Sequence, residues 1–146
     1  MIERLESPAP AELDALTALW EGSVRATHDF LAPEDIAFFR RMVHDEALSG
    51  VEELYVIRDS ENGFAAFAGI EAGNLEMLFV APEKRGKGLG RKFVEYLVAH
   101  RGVQRVDVNE QNAQAVGFYA RMGFRLVSRS ETDPSGRPYP ILHLSL

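Results

Sequence analysis

The sequence has no cysteine and no long apolar segment. Because none of the 146 residues is a cysteine, disulfides, thiolate metal sites and a cysteine nucleophile are excluded. No stretch approaches the roughly 20 apolar residues of a membrane span, and the start, MIERLESPAP, lacks a signal peptide's apolar run. A broad basic face is also missing, since the net charge is −6. We therefore expect a cytoplasmic protein that binds neither nucleic acid nor membranes.

The residues present predict a mixed α/β domain that spans residues 1–146, without repeats or linkers. The element order is β-αα-βββ-α-β-α-ββ. The first half begins with a strand at Ile2–Leu5, a helix from about Pro8 (with Ser7 as N-cap) to Thr27 and a helix in APEDIAFFRRMVHDEAL. Strands follow in VEELYVIRD, FAAFAGIEA and LEMLFVA, joined by turns at Ser60–Gly63 and Gly73-Asn74. The second half has a helix from Gly88 to about His100, a strand in VQRVDVN, a helix from Asn112 to Met122, and strands in FRLVSRS and YPILHLSL.

One short segment, PEKRGKGLGRK, is strongly basic. Five positive charges stand between Lys84 and Lys92 with no acidic residue among them, interspersed with Gly86, Gly88 and Gly90. The segment opens a predicted helix, whose first N–H groups are unpaired and carry about half a positive charge. Glycines remove the Cβ atoms that would keep a ligand at a distance. Together these features predict a cradle for a diphosphate.

Two common phosphate-binding patterns do not fit this loop. G-x-x-x-x-G-K-[ST] has no matching register, and G-x-G-x-x-G would need a glycine where Arg91 stands. The pattern that fits is R-x-x-G-x-G, from Arg85, Gly88 and Gly90. The plain alternative is a glycine-rich surface turn with solvated charges.

The segment LFVAPEKRGKGLGRKFVEYL resembles the acetyl-CoA motif of the GCN5-related N-acetyltransferases, the GNAT family. A second GNAT motif, N-x-x-A-x-x-F-Y-x-x-x-G-F, is matched by Asn112, Ala115, Phe118, Tyr119, Gly123 and Phe124. VRATHDFL and VNEQNAQAVGFYARMGF are similar to the small bacterial YjaB-type acetyltransferases. The resemblance implies the GNAT fold, a mostly antiparallel central sheet with splayed strands. It also implies acetyl-CoA as cosubstrate and a primary amine as acetyl acceptor.

The resemblance assigns the acetyl-CoA contacts to the strand before the loop, the loop and the second motif. These residues are Leu78, Phe79, Val80, Arg85, Gly86, Lys87, Gly88, Leu89, Gly90, Arg91, Asn112, Ala115 and Phe118. For Asn112 a helix cap is an equal alternative, and for Phe118 packing alone is the alternative. Main-chain groups of Phe79 and Val80 would bind the pantetheine arm as an added strand does, if the neighbouring strand leaves their edge unpaired.

Acetyl transfer to an amine poses two proton problems. A lysine amine has a pKa near 10.4, so its neutral form at pH 7 costs about 4.6 kcal/mol. The resemblance makes Glu76 the candidate base, and alternation places it on the face of Leu78 and Val80. It makes Tyr119 the proton donor to the CoA sulfur. For Glu76 the alternative is a solvated side chain, because some relatives use no single base. For Tyr119 the alternative is a core residue whose hydroxyl is hydrogen-bonded to the backbone.

The acceptor is less defined than the donor. The resemblance places His28, Asp29 and Phe30 in the segment that walls the acceptor pocket, and for His28 a helix cap or packing residue is the alternative. Asn109, at the end of the strand before the second motif, is a weaker candidate. The remaining histidines have no ligand spacing, so we expect no metal site. An acidic surface attracts cationic amines, so a protein lysine and a small-molecule amine both stay open.

Three functions are compatible with this sequence. The first is acetyl transfer by direct attack in a ternary complex, because an acetyl-cysteine intermediate is impossible without cysteine. The second is a regulatory or sensor module that binds CoA or acetyl-CoA without efficient catalysis. The third is an interaction domain that holds another polyanion at the basic loop. The sequence leaves open a monomer or a homodimer, and whether another acyl-CoA is preferred.

Overall fold

A mixed seven-stranded sheet organises residues 1–61 and 63–146, the part of the chain that this computed structural model describes. The strand order is β1-β2-β3-β4-β5-β7-β6, and every pairing is antiparallel except the parallel pair β4–β5. The strands are β1 Ile2–Arg4, β2 Glu53–Arg58, β3 Phe64–Glu71, β4 Asn74–Val80, β5 Arg105–Asn109, β6 Arg125–Ser130 and β7 Ile141–Ser145. The predicted fold class and element order are confirmed.

Helices cover both faces of this sheet. They are α1 Pro10–Thr27, α2 Pro33–Met42, α3 Leu48–Gly50, α4 Leu89–Arg101 and α5 Ala113–Arg121, with a π-helical segment Val43–Ala47 between α2 and α3 and a 3-10 turn Pro82–Lys84. The alternation of side chains along β2 explains the two layers, because Tyr55 and Ile57 join a core with α4 and α5. Leu54 and Val56 join the other core, with α1 and α2.

The first helix begins later than the sequence predicts. Ser7 has a left-handed φ of 49°, and Ala9 is the N-cap, whose N–H donates to Glu12 Oε1 at 2.9 Å. Because Ala9 precedes Pro10, it is held in the extended region, and the helix starts only at that proline. The predicted N-cap at Ser7 is therefore wrong.

Two turns bear on the predicted hairpins. The β3–β4 turn consists of Ala72 and Gly73, with φ of 49° and 77°, between the paired residues Glu71 and Asn74, one residue before the predicted position. The predicted turn at Ser60–Gly63 includes Asn62, which lies outside the described residues. Within the described residues no helix is long and apolar enough to cross a bilayer. The assignment of residues 1–146 to one domain stays a prediction.

Candidate acetyl-CoA and amine site

Strands β4 and β5 separate soon after they meet. They pair only at Asn74–Arg105 and Leu75–Val106, although β4 continues to Val80 and β5 to Asn109. Beyond that point β5 pairs only with β7 on its other side. The separation opens a cleft of about 790 Å³, which is within the usual range for small-molecule sites. The splayed strands are thus confirmed.

Most residues that the sequence assigns to a site line this one cleft. They are His28, Glu76, Leu78, Phe79, Val80, Arg85, Gly86, Gly88, Leu89, Gly90, Arg91, Asn109, Asn112, Ala115, Phe118 and Tyr119. Three do not line the cleft. Lys87 and Asp29 are exposed outside the lining, and the Phe30 ring packs at a tilt against His28 and Tyr139, with centroids 5.1 and 6.2 Å away. The roles of these residues in binding stay predictions.

The basic loop forms a cradle without side chains at its centre. Gly86 and Gly88 have φ of 78° and 77°, a region that only glycine adopts without strain. A Cβ atom on either would meet no atom of the described residues within 4 Å, so both glycines border open space. Gly88 is the N-cap of α4, and the N–H groups of the first helical turn have no partner within the helix. The cradle fits a diphosphate.

Contacts with α5 hold the cradle in place. The Arg85 guanidinium donates to Gln114 Oε1 at 2.6 Å, and a Cβ on Gly90 would lie 3.6 Å from the Phe118 ring. The predicted packing role of Phe118 is therefore present, and it leaves the ring at the cleft wall. Lys84, which the sequence analysis does not assign to the site, also lines the cleft.

The β4 edge that faces the cleft is unpaired beyond Leu75. The opposite edge pairs with β3, where Phe67 lies opposite Phe79 and Ala66 opposite Val80. N–H and C=O groups on the free edge are therefore available to an extended ligand, as in strand addition. This edge meets the condition that the predicted pantetheine contacts required.

Tyr119 is the most enclosed polar side chain of the cleft wall. It is 5% exposed, its ring packs against Phe118 and Phe124 with centroids 5.1 and 5.7 Å away, and burial raises its pKa. Among residues 1–61 and 63–146 no group hydrogen-bonds to its hydroxyl, whereas the hydroxyls of Tyr55 and Tyr139 each donate to a carboxylate. The core alternative, a backbone-bonded hydroxyl, is not what the structure has. The Tyr119 hydroxyl keeps its proton at neutral pH and can donate it.

Glu76 lies at a β-bulge of β4 and lines the cleft. Gly69 pairs with Met77 and Ile70 with Leu75, so Glu76 is the extra residue of β4. Asn74 Nδ2 donates to Glu76 Oε2 at 2.8 Å. Burial, and then the neighbouring Asp107 carboxylate, raises the pKa of Glu76. A carboxylate with raised proton affinity suits a general base.

Asn112 and His28 join two parts of the cleft wall. Asn112 Oδ1 accepts the Ala115 N–H at 3.2 Å, which confirms the predicted helix cap. Its amide nitrogen lies 3.4 Å from His28 Nε2, and His28 Nδ1 lies 2.6 Å from Thr27 Oγ1. Burial lowers the pKa of His28 to about 4, so the ring is neutral at pH 7. His28 and Asn112 are 84 positions apart in the sequence, which leaves no local signal for this contact.

Asn109 has a local structural contact. Its Oδ1 accepts the Gln111 N–H at 2.9 Å in the turn that follows β5. A turn role therefore explains Asn109 as well as substrate binding does. Among the described residues no three His, Asp or Glu side chains gather as metal ligands do, and the expected lack of a metal stays a prediction.

Charged side chains of both signs line the cleft. Lys84, Arg85 and Arg91 lie at the glycine cradle that follows β4, whereas Glu76 and Asp107 lie where β4 and β5 separate. Arg121 and Asp133 also line the cleft. Asp107 has no signal in the sequence, because its partners lie on other strands. Such a cleft is suited to an anionic ligand at its basic end and a cation at its acidic end.

This fold and this cleft define an acetyltransferase. The acetyltransferase (GNAT) domain family matches residues 24–137, and the chain belongs to the GNAT family. A curated relative, the peptidyl-lysine N-acetyltransferase YjaB of Escherichia coli (strain K12), is 41% identical over 92% of this chain and 90% of that protein. YjaB of Salmonella typhimurium (strain LT2) is 38% identical over 91% of this chain and 90% of that protein.

Solved structures agree with this assignment. The solution structure of apo YjaB from Escherichia coli superposes with a TM-score of 0.86 at 36% identity over 99% of this chain and 95% of that one. The PaiA N-acetyltransferase of Thermoplasma acidophilum, solved in complex with coenzyme A, has a TM-score of 0.70 at 20% identity over 100% and 99%. The second likeness concerns the fold alone.

Proposed function

We propose that this chain transfers the acetyl group of acetyl-CoA to the side-chain amine of a protein lysine, by direct attack in a ternary complex. The observation that carries the proposal is the charge reversal along one cleft, from the glycine cradle to Glu76 and Asp107. The names of the two YjaB relatives support lysine as the acceptor. The proposed location is the cytoplasm, as a monomer or a homodimer.

The donor is held from its diphosphate to its thioester. Backbone N–H groups from Gly86 to Arg91 bind the diphosphate, and Arg85 and Arg91 add charge. The pantetheine arm lies along the free β4 edge, from Glu76 to Val80, because that edge offers unpaired main-chain groups. This path directs the thioester toward Tyr119, which lines the cleft.

The reaction removes two protons from the acceptor ammonium. Glu76 takes the first, which frees the nitrogen lone pair to attack the acetyl carbonyl and offsets part of the cost of about 4.6 kcal/mol. Collapse of the tetrahedral intermediate breaks the C–S bond, and Tyr119 gives its hydroxyl proton to the leaving sulfur. The second amine proton then restores the Tyr119 hydroxyl. The products are an amide and CoA with a free thiol, and the proton on Glu76 passes to solvent.

Two peptides test the acceptor. One carries a single lysine and a blocked N-terminus; the other has arginine in its place. Acetylation is located by mass spectrometry, and thiol release gives the rate. We expect acetylation and saturable turnover with the lysine peptide alone. Equal thiol release with both peptides would contradict lysine acetylation.

Two further outcomes would each replace the proposal. Turnover with small amines but with no peptide would move the acceptor to the small-molecule class. Tight, saturable acetyl-CoA binding without thiol release across a broad amine panel would indicate the regulatory or sensor module. Because binding is measured separately by calorimetry, failure of the acceptor proposal is distinct from failure of the acetyl-CoA site.

A further inference from the structure

A chain of polar side chains crosses four strands at the acidic end of the cleft. Asp107 Oδ1 lies 2.7 Å from His143 Nδ1, and His143 Nε2 lies 2.7 Å from Ser130 Oγ. On the other side of Asp107, Asn74 Nδ2 donates to Asp107 Oδ2 at 3.1 Å and to Glu76 Oε2 at 2.8 Å. The chain therefore connects Ser130 on β6 to Glu76 on β4.

Strand pairing sets this arrangement. Asp107 and His143 are directly opposite each other in the antiparallel pair β5–β7, where neighbouring side chains on one face touch. Asp107, His143 and Ser130 all line the cleft with Glu76. None of the three has a part in the reaction described above.

The direction of each hydrogen bond follows from the donor and acceptor groups. A carboxylate only accepts, so His143 Nδ1 carries the hydrogen that Asp107 accepts. In a ring with one hydrogen, Nε2 then accepts the hydroxyl hydrogen of Ser130. Asp107 thus accepts from two N–H donors, His143 and Asn74. Among the described residues, Glu76 accepts a side-chain hydrogen bond from Asn74 alone. Glu76 thus has fewer donors than Asp107, and it is the carboxylate whose pKa is raised.

We propose that Asp107 and His143 are positioning residues for the acetyl transfer: His143, oriented by Ser130, holds the Asp107 carboxylate beside Glu76, so that Glu76 takes the proton of the acceptor ammonium. Two observations support this assignment, the unbroken hydrogen-bond chain and the raised pKa of Glu76, in which the Asp107 charge is the second cause after burial. The inference rests on the proposed function, because it assigns Glu76 as base.

Kinetic measurements on two single variants test the inference first. Asp107→Asn and His143→Ala should each lower kcat about tenfold, less than the loss of about 100-fold or more expected when a general base is removed. The KM for acetyl-CoA and its binding by calorimetry should change less than about twofold, since neither residue touches the cradle. His143→Asn, whose amide N–H can replace Nδ1–H, should recover part of kcat. His100→Ala, an exposed histidine on α4, is the matched control.

A double-mutant cycle separates positioning from a structural role. In a Glu76→Gln background, His143→Ala should have almost no further effect on kcat, because its contribution passes through Glu76. An equal loss in both backgrounds, or an unchanged kcat in the single variant, would overturn the inference. Circular dichroism and CoA binding of each variant show whether it is folded.

A spectroscopic readout does not depend on turnover. Long-range ¹H–¹⁵N spectra of the wild-type protein should show His143 with its hydrogen on Nδ1 and with Nε2 unprotonated. A hydrogen on Nε2 alone would overturn the inference even if the enzyme is fully active. If no amine is acetylated but the Nδ1 form is found, the proposed function fails. The positioning role then fails as well, because there is no proton to transfer. If the enzyme is active but has the wrong tautomer, only the positioning role fails.

Discussion

The two glycines that bound α4 allow a matched test of the cradle. Gly88 is the N-cap of this helix, with φ 77° and ψ 13°, and Gly102 is its C-cap, with φ 71° and ψ 24°. Neither would place a Cβ atom within 4 Å of an atom of the described residues. Only Gly88 lines the cleft. Gly88→Ala and Gly102→Ala therefore impose nearly the same backbone strain at positions that differ in their relation to the ligand.

The expected loss of stability is the same for both variants. A non-glycine residue in the left-handed region costs about 1–2 kcal/mol. For a chain of this length that corresponds to a fall in Tm of about 3–8 °C. Scanning calorimetry without ligand measures this quantity. A much larger loss in one variant would show that its site repacks, and the comparison would then rest on the other glycine of the cradle, Gly86.

Ligand binding should separate the two variants. The methyl group added at Gly88 enters the space beside the helix N-terminus, so a diphosphate must move away from the N–H groups. We expect the Kd for CoA to rise at least tenfold, about 1.4 kcal/mol, in Gly88→Ala and to stay unchanged in Gly102→Ala. CoA at about 100 times the wild-type Kd should then stabilise the wild type by about 2.7 kcal/mol and Gly88→Ala by about 1.4 kcal/mol or less. Equal Kd values in all three proteins would refute the cradle.

Two further predictions concern single side chains. Tyr119→Phe should lower kcat about 100-fold and leave the Kd for CoA unchanged, because only the proton donor is lost. The control Tyr96→Phe, on α4, should have the kcat of the wild type. An unchanged kcat in Tyr119→Phe would show that Tyr119 takes no part in the reaction. Burial holds the pKa of His28 at about 4, against 6.5 in the unfolded chain. Between pH 4 and 6.5, therefore, unfolding is accompanied by uptake of a proton at His28. The free energy of unfolding should fall by up to about 3 kcal/mol as the pH drops from 6.5 to 4. Urea unfolding should show a flatter pH dependence in His28→Gln but not in His100→Gln, and the same slope in His28→Gln as in the wild type would show that His28 is not held neutral.

Features set by neighbouring residues could be predicted from the sequence. The glycine loop that opens α4 and the cap at Asn112 depend on contacts within a few residues, and both are present. Alternation also placed Glu76 with Leu78 and Val80 at the cleft. Alternation could not reveal the bulge, because the bulge depends on the pairing of β4 with β3. The bulge puts Leu75 in the same core as Leu78.

Contacts between distant residues could not be predicted. Asp107 and His143 are 36 residues apart, and nothing in either segment distinguishes them from ordinary polar residues of a strand. Their contact depends on the register of β5 with β7, which is a property of the whole sheet. The prediction of where α1 starts was wrong for a different reason: two prolines, Pro8 and Pro10, are both compatible with the first turn of a helix.

The donor path and the acidic network have one structural origin. Pairing of β4 with β5 ends at Leu75–Val106, and the bulge places Glu76 at the first position beyond it. From this point the β4 edge is free for an extended ligand. Asp107, the next residue on β5, has no backbone pairing with β4, and its side chain accepts hydrogen bonds from Asn74 and His143. A change that extended the β4–β5 ladder by one pair would therefore shorten the edge that is free for an extended ligand and alter the surroundings of Glu76 and Asp107 together.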